Sequence, residues 1–285
     1  MKHLQLESGR RIAVHELSNG QHPVVFCHPA PGAGNFDPIP EETVKRDVRL
    51  IAVDRAGYGA SDPIEDGNWA TPVQAADDIA FALRRMEIEK VSVVGWSAGG
   101  RVAIALAARY PQLVSRVVIA ATPAPDEFVP WVSAEQREGL QALRGLSAPE
   151  THAALQAQLE PMIPDHAADA LEWLGYSPAD DEVLAMDGVK DRVVVMLKTA
   201  FTARGAGLAA DLAGYMIQPF GVELSDVQAE TLCLYGAGDP VTNERHGRWW
   251  QQHLPNARLE MSPDAGHFVA IALWDRVLSY LTSER

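Results

Sequence analysis

A serine flanked by glycines stands where a short apolar run meets a helix-forming run. Residues 95–99 read Gly-Trp-Ser-Ala-Gly and match the pattern G-x-S-x-G, in which the serine occupies a sharp strand-to-helix turn. Such a turn holds its central residue in a strained conformation, so Gly95 and Gly99 leave room for neighbouring backbone. The pattern predicts Ser97 as a nucleophile exposed at a helix N-terminus. The alternative is a glycine-rich turn of an ordinary βα unit, with the serine as helix N-cap.

A serine nucleophile needs a base within hydrogen-bond reach, because its hydroxyl is weakly reactive at neutral pH. In an open parallel sheet, groups that act together lie on loops at the carboxyl ends of strands. Three of the nine histidines closely follow strand-like runs: His28, His246 and His267. His267 leaves the last strand on a short glycine-containing loop and is the predicted base. We expect His246 on the surface of a helix, and we favour for His28 a structural role, bonding nearby loop backbone.

The base in turn needs an acid to orient it, and that acid must follow another strand at the same edge. Asp239 follows the run that ends at Tyr235, on a glycine-rich turn that would expose its carboxylate. The interval between Asp239 and His267 accommodates one helix and one strand. Asp126 also follows a strand-like run and is the second choice, whereas Asp264 shares the loop of His267. The alternative for Asp239 is a turn-forming residue before proline.

Acyl transfer also needs two N–H donors aimed at the developing oxyanion. The amide of Ala98 is one candidate, since it opens the helix after the nucleophile. The second should come from the loop after the strand that ends at Cys27. Because Pro29 and Pro31 have no N–H, Ala30 is the first amide available beyond His28, with Gly32 as the alternative.

Strand-like and helix-like runs alternate from residue 23 to residue 121 and again from residue 231, which indicates parallel βαβ units. Residues 124–225 interrupt the alternation and read as helical throughout. We therefore expect a core of residues 1–123 and 226–285 and a helical cap of residues 124–225. The predicted strands lie at residues 4–7, 11–17, 23–27, 47–53, 91–94, 116–121, 231–235 and 257–261. The predicted helices lie at residues 40–45, 72–86, 98–109, 133–145, 148–160, 166–175, 180–203, 206–217, 243–253 and 268–282, with Thr71 as the expected N-cap of the second.

Taken together, these loops resemble the α/β-hydrolase family, in its esterase, epoxide-hydrolase and proline-iminopeptidase-like branch. The resemblance is carried by five segments: His28-Pro-Ala-Pro-Gly, Asp54-Arg-Ala-Gly-Tyr-Gly-Ala-Ser-Asp, Gly95-Trp-Ser-Ala-Gly-Gly, Gly236-Ala-Gly-Asp and Gly266-His-Phe. It implies a mostly parallel eight-stranded sheet flanked by helices, with a helical lid inserted after the sixth strand. It also implies the nucleophile, acid, base and oxyanion roles assigned above.

Two positions differ from what some members of this family carry, one in the first loop and one at the nucleophile. The family's first loop usually reads His-Gly-x-Pro-Gly, and here Pro29 replaces the glycine. Epoxide hydrolases and haloalkane dehalogenases carry an aspartate where this chain has Ser97, so the resemblance speaks against those chemistries.

Composition narrows the class of protein further. The 285 residues carry 24 basic and 38 acidic side chains, a net charge of −14, so a basic face for nucleic acid is not expected. Residues 124–225 hold 16 of the acidic and 6 of the basic side chains. No run of 18 apolar residues and no secretion signal is visible, which predicts a cytoplasmic protein without a membrane partner. Cys27 and Cys233 lie in apolar runs and are expected to be buried free thiols.

The sequence thus predicts a serine hydrolase that needs no cofactor and no metal and cleaves small carboxylic esters through an acyl-enzyme. An aminopeptidase of the proline-iminopeptidase type is the alternative, in which cap carboxylates would hold a substrate amine. A non-catalytic ligand-binding scaffold and cofactor-free perhydrolysis stay open. We expect Trp96 and His28 beside the substrate pocket, together with some apolar side chains of the cap. Those candidates are Phe128, Trp131, Met162, Trp173, Tyr176, Met186, Phe201, Tyr215, Met216 and Phe220.

Overall fold

The chain folds around one eight-stranded sheet, seen in a computed structural model that describes residues 1–283. The strands lie in the order β1-β2-β4-β3-β5-β6-β7-β8. Strand β2 runs antiparallel to β1 and β4, and all other neighbours are parallel. The predicted fold class is therefore confirmed. The strands are β1 (Lys2–Gln5), β2 (Arg11–Glu16), β3 (His22–Cys27), β4 (Val48–Val53), β5 (Val91–Trp96), β6 (Val114–Ala120), β7 (Glu230–Gly236) and β8 (Ala257–Ser262).

Helices connect the parallel strands, and five of them lie between β6 and β7. The helices are α1 (Pro40–Lys45), α2 (Pro72–Arg85), α3 (Ala98–Arg109), α4 (Ala134–Ala142), α5 (Ala148–Leu159), α6 (Asp181–Leu184), α7 (Val189–Ala200), α8 (Ala206–Met216), α9 (Glu244–His253), α10 (Val269–Ala272) and α11 (Trp274–Thr282). Helix α2 begins as predicted, because the Thr71 side chain accepts a hydrogen bond from the Gln74 amide at 3.2 Å and Pro72 opens the first turn. We call residues 124–225, which include α4 to α8, the helical insertion.

The two faces of the sheet each have their own apolar layer, as the two-residue alternation of a strand requires. Helices α2 and α3 pack on one face, against side chains such as Val25 and Val93. Helix α11 and part of the insertion pack on the other face, against side chains such as Phe26 and Val94. Cys27 and Cys233 are buried and unpaired, and burial raises the pKa of each thiol to about 12. Both cysteines are therefore unreactive core residues.

Two predicted helices are each divided in the structure. The expected helix at 180–203 is broken between α6 and α7, where Gly188 has φ +65°, a left-handed conformation outside a right-handed helix. The expected helix at 268–282 ends at Ala272 and restarts at Trp274, whose buried indole donates a hydrogen bond to Thr43 Oγ1 at 2.9 Å. The expected helix at 166–175 is a 3₁₀ helix over Ala167–Leu174.

His246 lies in the interior, so the expectation that it is a surface residue was wrong. It is 2% exposed on the inner side of α9, one turn before the buried Trp250. Its Nδ1 accepts a hydrogen bond from the Ala124 amide at 3.1 Å. Burial lowers its pKa to about 4, so the ring is neutral and serves as an acceptor that holds the start of the helical insertion.

None of the helices in the described part of the chain combines the length and apolar character that crossing a bilayer requires.

A buried chain of hydrogen bonds ties the loop before α1 to α11. The hydroxyl of Thr43 donates to Asp37 Oδ1 at 2.8 Å and accepts from the Trp274 indole. Asp37 is 7% exposed, and burial raises the pKa of its carboxyl to about 6. As pH rises, the unfolded chain loses the Asp37 proton near pH 4, whereas the folded protein keeps it until about pH 6.

This shift predicts a pH-dependent gain of stability in the Asp37→Asn variant. The pKa of Asp37 is higher in the folded protein than in the unfolded chain. The free energy of unfolding therefore falls as pH rises from about 4 to about 6, and above pH 6 the folded protein carries the whole cost of burying the ionised carboxylate. Asparagine keeps the acceptor for Thr43 and removes the charge, so the variant should exceed the wild type by up to about 3 kcal/mol at pH 8 and match it near pH 4. Urea unfolding at both pH values measures the difference. Asp66→Asn, at an exposed position, is the control, and a difference for Asp37→Asn that does not change with pH would contradict the account.

Candidate active site

The turn between β5 and α3 places Ser97 in a conformation that the surrounding glycines make possible. Ser97 has φ +54° and ψ −123°, outside the regions that side-chain-bearing residues usually occupy. A Cβ on Gly95 would lie 2.3 Å from the Gly99 carbonyl oxygen, and one on Gly99 would lie 2.0 Å from the Cys27 carbonyl oxygen. Glycine is thus required at both positions, and the start of α3 rests directly against the end of β3. Ser97 itself is partly exposed.

An imidazole and a carboxylate meet at the ends of the last two strands. His267 Nδ1 lies 2.8 Å from Asp239 Oδ2, and both side chains are buried. Asp239 Oδ1 accepts from the amides of Val241 and Thr242 at 2.7 and 2.8 Å, and Oδ2 accepts from the Thr242 hydroxyl at 2.5 Å. Although burial opposes the charge, the imidazole and these donors hold the pKa of Asp239 below its ordinary value. Since the carboxylate only accepts, Nδ1 carries the proton and Nε2 stays free to act as a base.

Trp96 connects this pair to the nucleophile turn. Its indole Nε1 donates to the His267 carbonyl oxygen at 2.9 Å, and the two rings lie 6.4 Å apart between centroids. The residue before Ser97 is therefore bonded to the backbone of His267. Trp96 itself has no exposed surface.

His28 is committed to the backbone of its own loop. Its Nδ1 donates to the Pro29 carbonyl oxygen at 2.9 Å, and its Nε2 accepts from the Arg55 amide at 3.2 Å. Burial and the charge of Arg55 keep the pKa of His28 well below its ordinary value, so the ring is neutral. Since His28, like Trp96, is fully buried, neither side chain offers a surface to a substrate. Their placement therefore differs from the pocket role expected from the sequence.

The remaining sequence candidates lie as follows. Ala98 is the first residue of α3 and Ala30 is partly exposed on the loop after β3, which the Gly99 contact brings against the start of that helix. Gly32 is buried, and its ideal Cβ would lie 2.6 Å from the Pro29 carbonyl oxygen. Asp126 is occupied by the amides of Trp131 and Val132 and by Arg137, and Asp264 is exposed.

Comparison with known proteins shows to which family the chain belongs. The family model described as alpha/beta hydrolase fold matches residues 22–272, which is most of the chain. The chain belongs to the α/β-hydrolase family.

The relatives of this α/β-hydrolase are hydrolases and esterases. The chain is 30% identical over 267 residues to pimeloyl-[acyl-carrier protein] methyl ester esterase of Nitrosomonas europaea, a match that covers 90% of this chain and 92% of the relative. It is 26% identical to 2-hydroxy-6-oxononadienedioate/2-hydroxy-6-oxononatrienedioate hydrolase 1 of Pseudomonas putida, covering 95% and 92%. A solved structure of a thermophilic esterase from Thermogutta terrifontis matches with TM-score 0.73 and 21% identity over 98% of this chain and 96% of that one, which shows the shared fold. The protein is a hydrolase of this fold.

A buried ion pair joins the loop after β4 of this α/β-hydrolase to the helical insertion, and sequence reasoning missed it. Arg55 donates to both carboxylate oxygens of Asp211 on α8, at 2.7–3.2 Å, and also to the carbonyl oxygens of His28 and Pro29 at 2.5 and 2.9 Å. Burial lowers the pKa of Arg55, but the negative charge of Asp211 outweighs this effect, so the pKa lies above its ordinary range. The only available signal was that Arg55 lies inside the Asp54–Asp62 segment; nothing near Asp211 marked it as the partner.

We predict that Asp211→Ala strongly destabilises the protein. Removing the carboxylate leaves a buried guanidinium without its counter-charge, which costs about 3–5 kcal/mol in comparable pairs. The exposed pair Arg248–Glu244 supplies the control, and Glu244→Ala should change the free energy of unfolding by less than about 1 kcal/mol. Urea unfolding at neutral pH compares the two variants. A loss below about 1 kcal/mol for Asp211→Ala would show that the buried pair does not hold the insertion to the loop.

Proposed function

We propose that this hydrolase cleaves small carboxylic esters through an acyl-enzyme formed on Ser97. The observation that carries the proposal is the buried hydrogen bond between His267 Nδ1 and Asp239 Oδ2, joined through Trp96 to the strained turn that presents Ser97. The nucleophile Ser97, the orienting acid Asp239 and the base His267 then follow one another in the chain in that order, which suits the α/β-hydrolase family.

The proposed reaction follows from the protonation states of these groups. Ser97 Oγ attacks the ester carbonyl carbon while His267 Nε2 accepts its proton, and Asp239 stabilises the imidazolium. The amides of Ala98 and Ala30 donate to the oxyanion. The imidazolium then protonates the leaving alkoxide, and a water molecule activated by the same Nε2 hydrolyses the acyl-enzyme. Protein groups supply every proton transfer, so the reaction needs neither a metal nor a cofactor.

We further propose that the described residues outside the helical insertion, 1–123 and 226–283, form the catalytic core and that the insertion acts as its lid. Partly buried apolar side chains of the insertion pack with Ala30 and Tyr58 near the proposed oxyanion loop: Leu159, Trp173, Phe201 and Leu212. The rings of Trp173 and Phe201 meet edge to face, with centroids 5.6 Å apart. This group supports an apolar acyl pocket in place of the Trp96 and His28 surface expected from sequence. Because the rings of Trp173 and Phe201 occupy much of such a pocket, we expect it to accept short acyl chains.

The aminopeptidase alternative requires a cap carboxylate free to bind a substrate amine. Within residues 124–225 the buried carboxylates are Asp180 and Asp211. Asp211 is paired with Arg55, and Asp180 accepts from the amides of Ser177 and Phe268. Since both are occupied, neither buried carboxylate is free to hold a substrate amine, which supports the ester proposal. The methyl ester esterase among the relatives also supports an ester.

We predict that Ser97→Ala lowers kcat/KM for p-nitrophenyl acetate by roughly 10⁴-fold or more, because no other group can carry the acyl intermediate. Ser225→Ala, at an exposed position in the insertion, is the control and should keep wild-type activity. Circular dichroism spectra of both variants should match that of the wild type.

A substrate panel distinguishes the esterase from the aminopeptidase. It compares p-nitrophenyl acetate, butyrate and octanoate with proline p-nitroanilide. Hydrolysis of the short esters in preference to the anilide supports the proposal. Faster turnover of the anilide would favour the aminopeptidase, and wild-type rates in Ser97→Ala would refute the acyl-enzyme.

A further inference from the structure

A short segment of the helical insertion, residues 175–180, lies directly on the two loops that carry the proposed acid and base. Gly175 has φ +74°, and its ideal Cβ would lie 3.0 Å from His267 Cγ. A Cβ on Gly238, the residue before Asp239, would lie 2.4 Å from Ala179 Cβ. The segment therefore packs closely against both loops.

Within this segment, Asp180 has a carboxylate that is almost fully buried, with 1% of the residue exposed. Its Oδ1 accepts from the Phe268 amide at 2.9 Å. Its Oδ2 accepts from the Ser177 amide at 3.1 Å and lies 3.3 Å from the Ser177 hydroxyl, which also lies 3.2 Å from the Gly238 carbonyl oxygen. A Cβ on Gly266 would lie 2.3 Å from Asp180 Oδ2. The carboxylate is thus pressed against the residues on both sides of His267.

No ion pair accounts for the burial of this carboxylate. Among residues 1–283, no lysine, arginine or histidine nitrogen forms a salt bridge with Asp180. Burying an unpaired carboxylate is costly, and hydrogen bonds from amides and a hydroxyl offset that cost only where their geometry is well fixed. The bond to the Phe268 amide therefore constrains the backbone of the base loop.

The peptide group that joins His267 to Phe268 is held at both of its polar atoms. Its carbonyl oxygen accepts from Trp96 Nε1 at 2.9 Å, and its N–H donates to Asp180 Oδ1 at 2.9 Å. One partner belongs to the strand that ends at the nucleophile and the other to the insertion. Since a peptide group is planar, fixing both atoms fixes the plane from which the imidazole of His267 projects.

We infer that Asp180 is a positioning residue for His267, which couples the seating of the helical insertion to the geometry of the base. The inference rests on the proposed function of Ser97, Asp239 and His267. Without the Asp180 carboxylate, the peptide group after His267 keeps one anchor and can rotate. The imidazole then spends less time aligned between Asp239 and Ser97, and proton transfer slows while the substrate pocket remains.

The test compares Asp180→Ala with Asp180→Asn and with Glu182→Ala, a matched change at an exposed carboxylate two residues away. With p-nitrophenyl acetate, Asp180→Ala should lower kcat by about 10- to 100-fold, the range expected for misplaced catalytic groups, with KM changed less than about threefold. Asp180→Asn keeps an oxygen acceptor for the Phe268 amide and should recover most of kcat. Glu182→Ala should match the wild type. Each variant is assayed well below its own melting temperature.

A second arm keeps the inference falsifiable if Asp180→Ala folds poorly. Trp96→Phe removes the opposite anchor and should also lower kcat. Because both anchors hold one peptide group, the effects of Trp96→Phe and of Asp180→Leu, which removes the acceptor and keeps the side-chain volume, should combine non-additively in the double variant. The downfield proton NMR signal of the His267 Nδ1–H bond should weaken or shift in Asp180→Ala and persist in Glu182→Ala.

Each outcome separates this inference from the proposed function. Wild-type kcat in Asp180→Ala, or a rise in KM alone, overturns the positioning role while an inactive Ser97→Ala still supports the acyl-enzyme. Retained turnover in Ser97→Ala overturns the proposed function whatever Asp180→Ala does.

Discussion

The rest of the structure depends on the strained turn at Ser97. Holding a serine at φ +54° and ψ −123° costs on the order of 1–3 kcal/mol, which the fully buried strand β5 and the largely buried helix α3 offset. The turn is possible only because Gly95 and Gly99 have no Cβ, and the same missing atoms let α3 approach the end of β3. One constraint thus presents the hydroxyl and brings the start of α3 against the loop that contains Ala30.

The helical insertion is tied to this centre by its two buried carboxylates. Asp211 bonds Arg55, which in turn holds the carbonyl groups of the loop after β3, and Asp180 bonds the backbone beside His267. One carboxylate thus acts on the proposed oxyanion side and the other on the base side. Most other acidic side chains of the insertion are exposed or partly exposed, so much of its negative charge faces solvent.

Local signals in the sequence predicted the fold and the loops of the candidate site, because those features depend on short-range chemistry. Alternating strand and helix patterns, the Thr71 cap and the glycine-flanked serine each act within a few residues. Contacts across long separations were beyond such signals. The partner of Arg55 is 156 residues away, and the amide that Asp180 accepts from is 88 residues away. The burial of His246 and the inward position of Trp96 likewise depend on what packs against them.

Covalent labelling with a fluorophosphonate tests most directly whether Ser97 is an activated nucleophile, because this reagent reacts with a serine only where a base and an oxyanion site activate it. We expect one phosphonyl adduct per chain, located by mass spectrometry on the peptide that contains Ser97, and labelling at least about 100-fold slower in His267→Ala. An adduct on another serine, or no adduct on the folded protein, would contradict it.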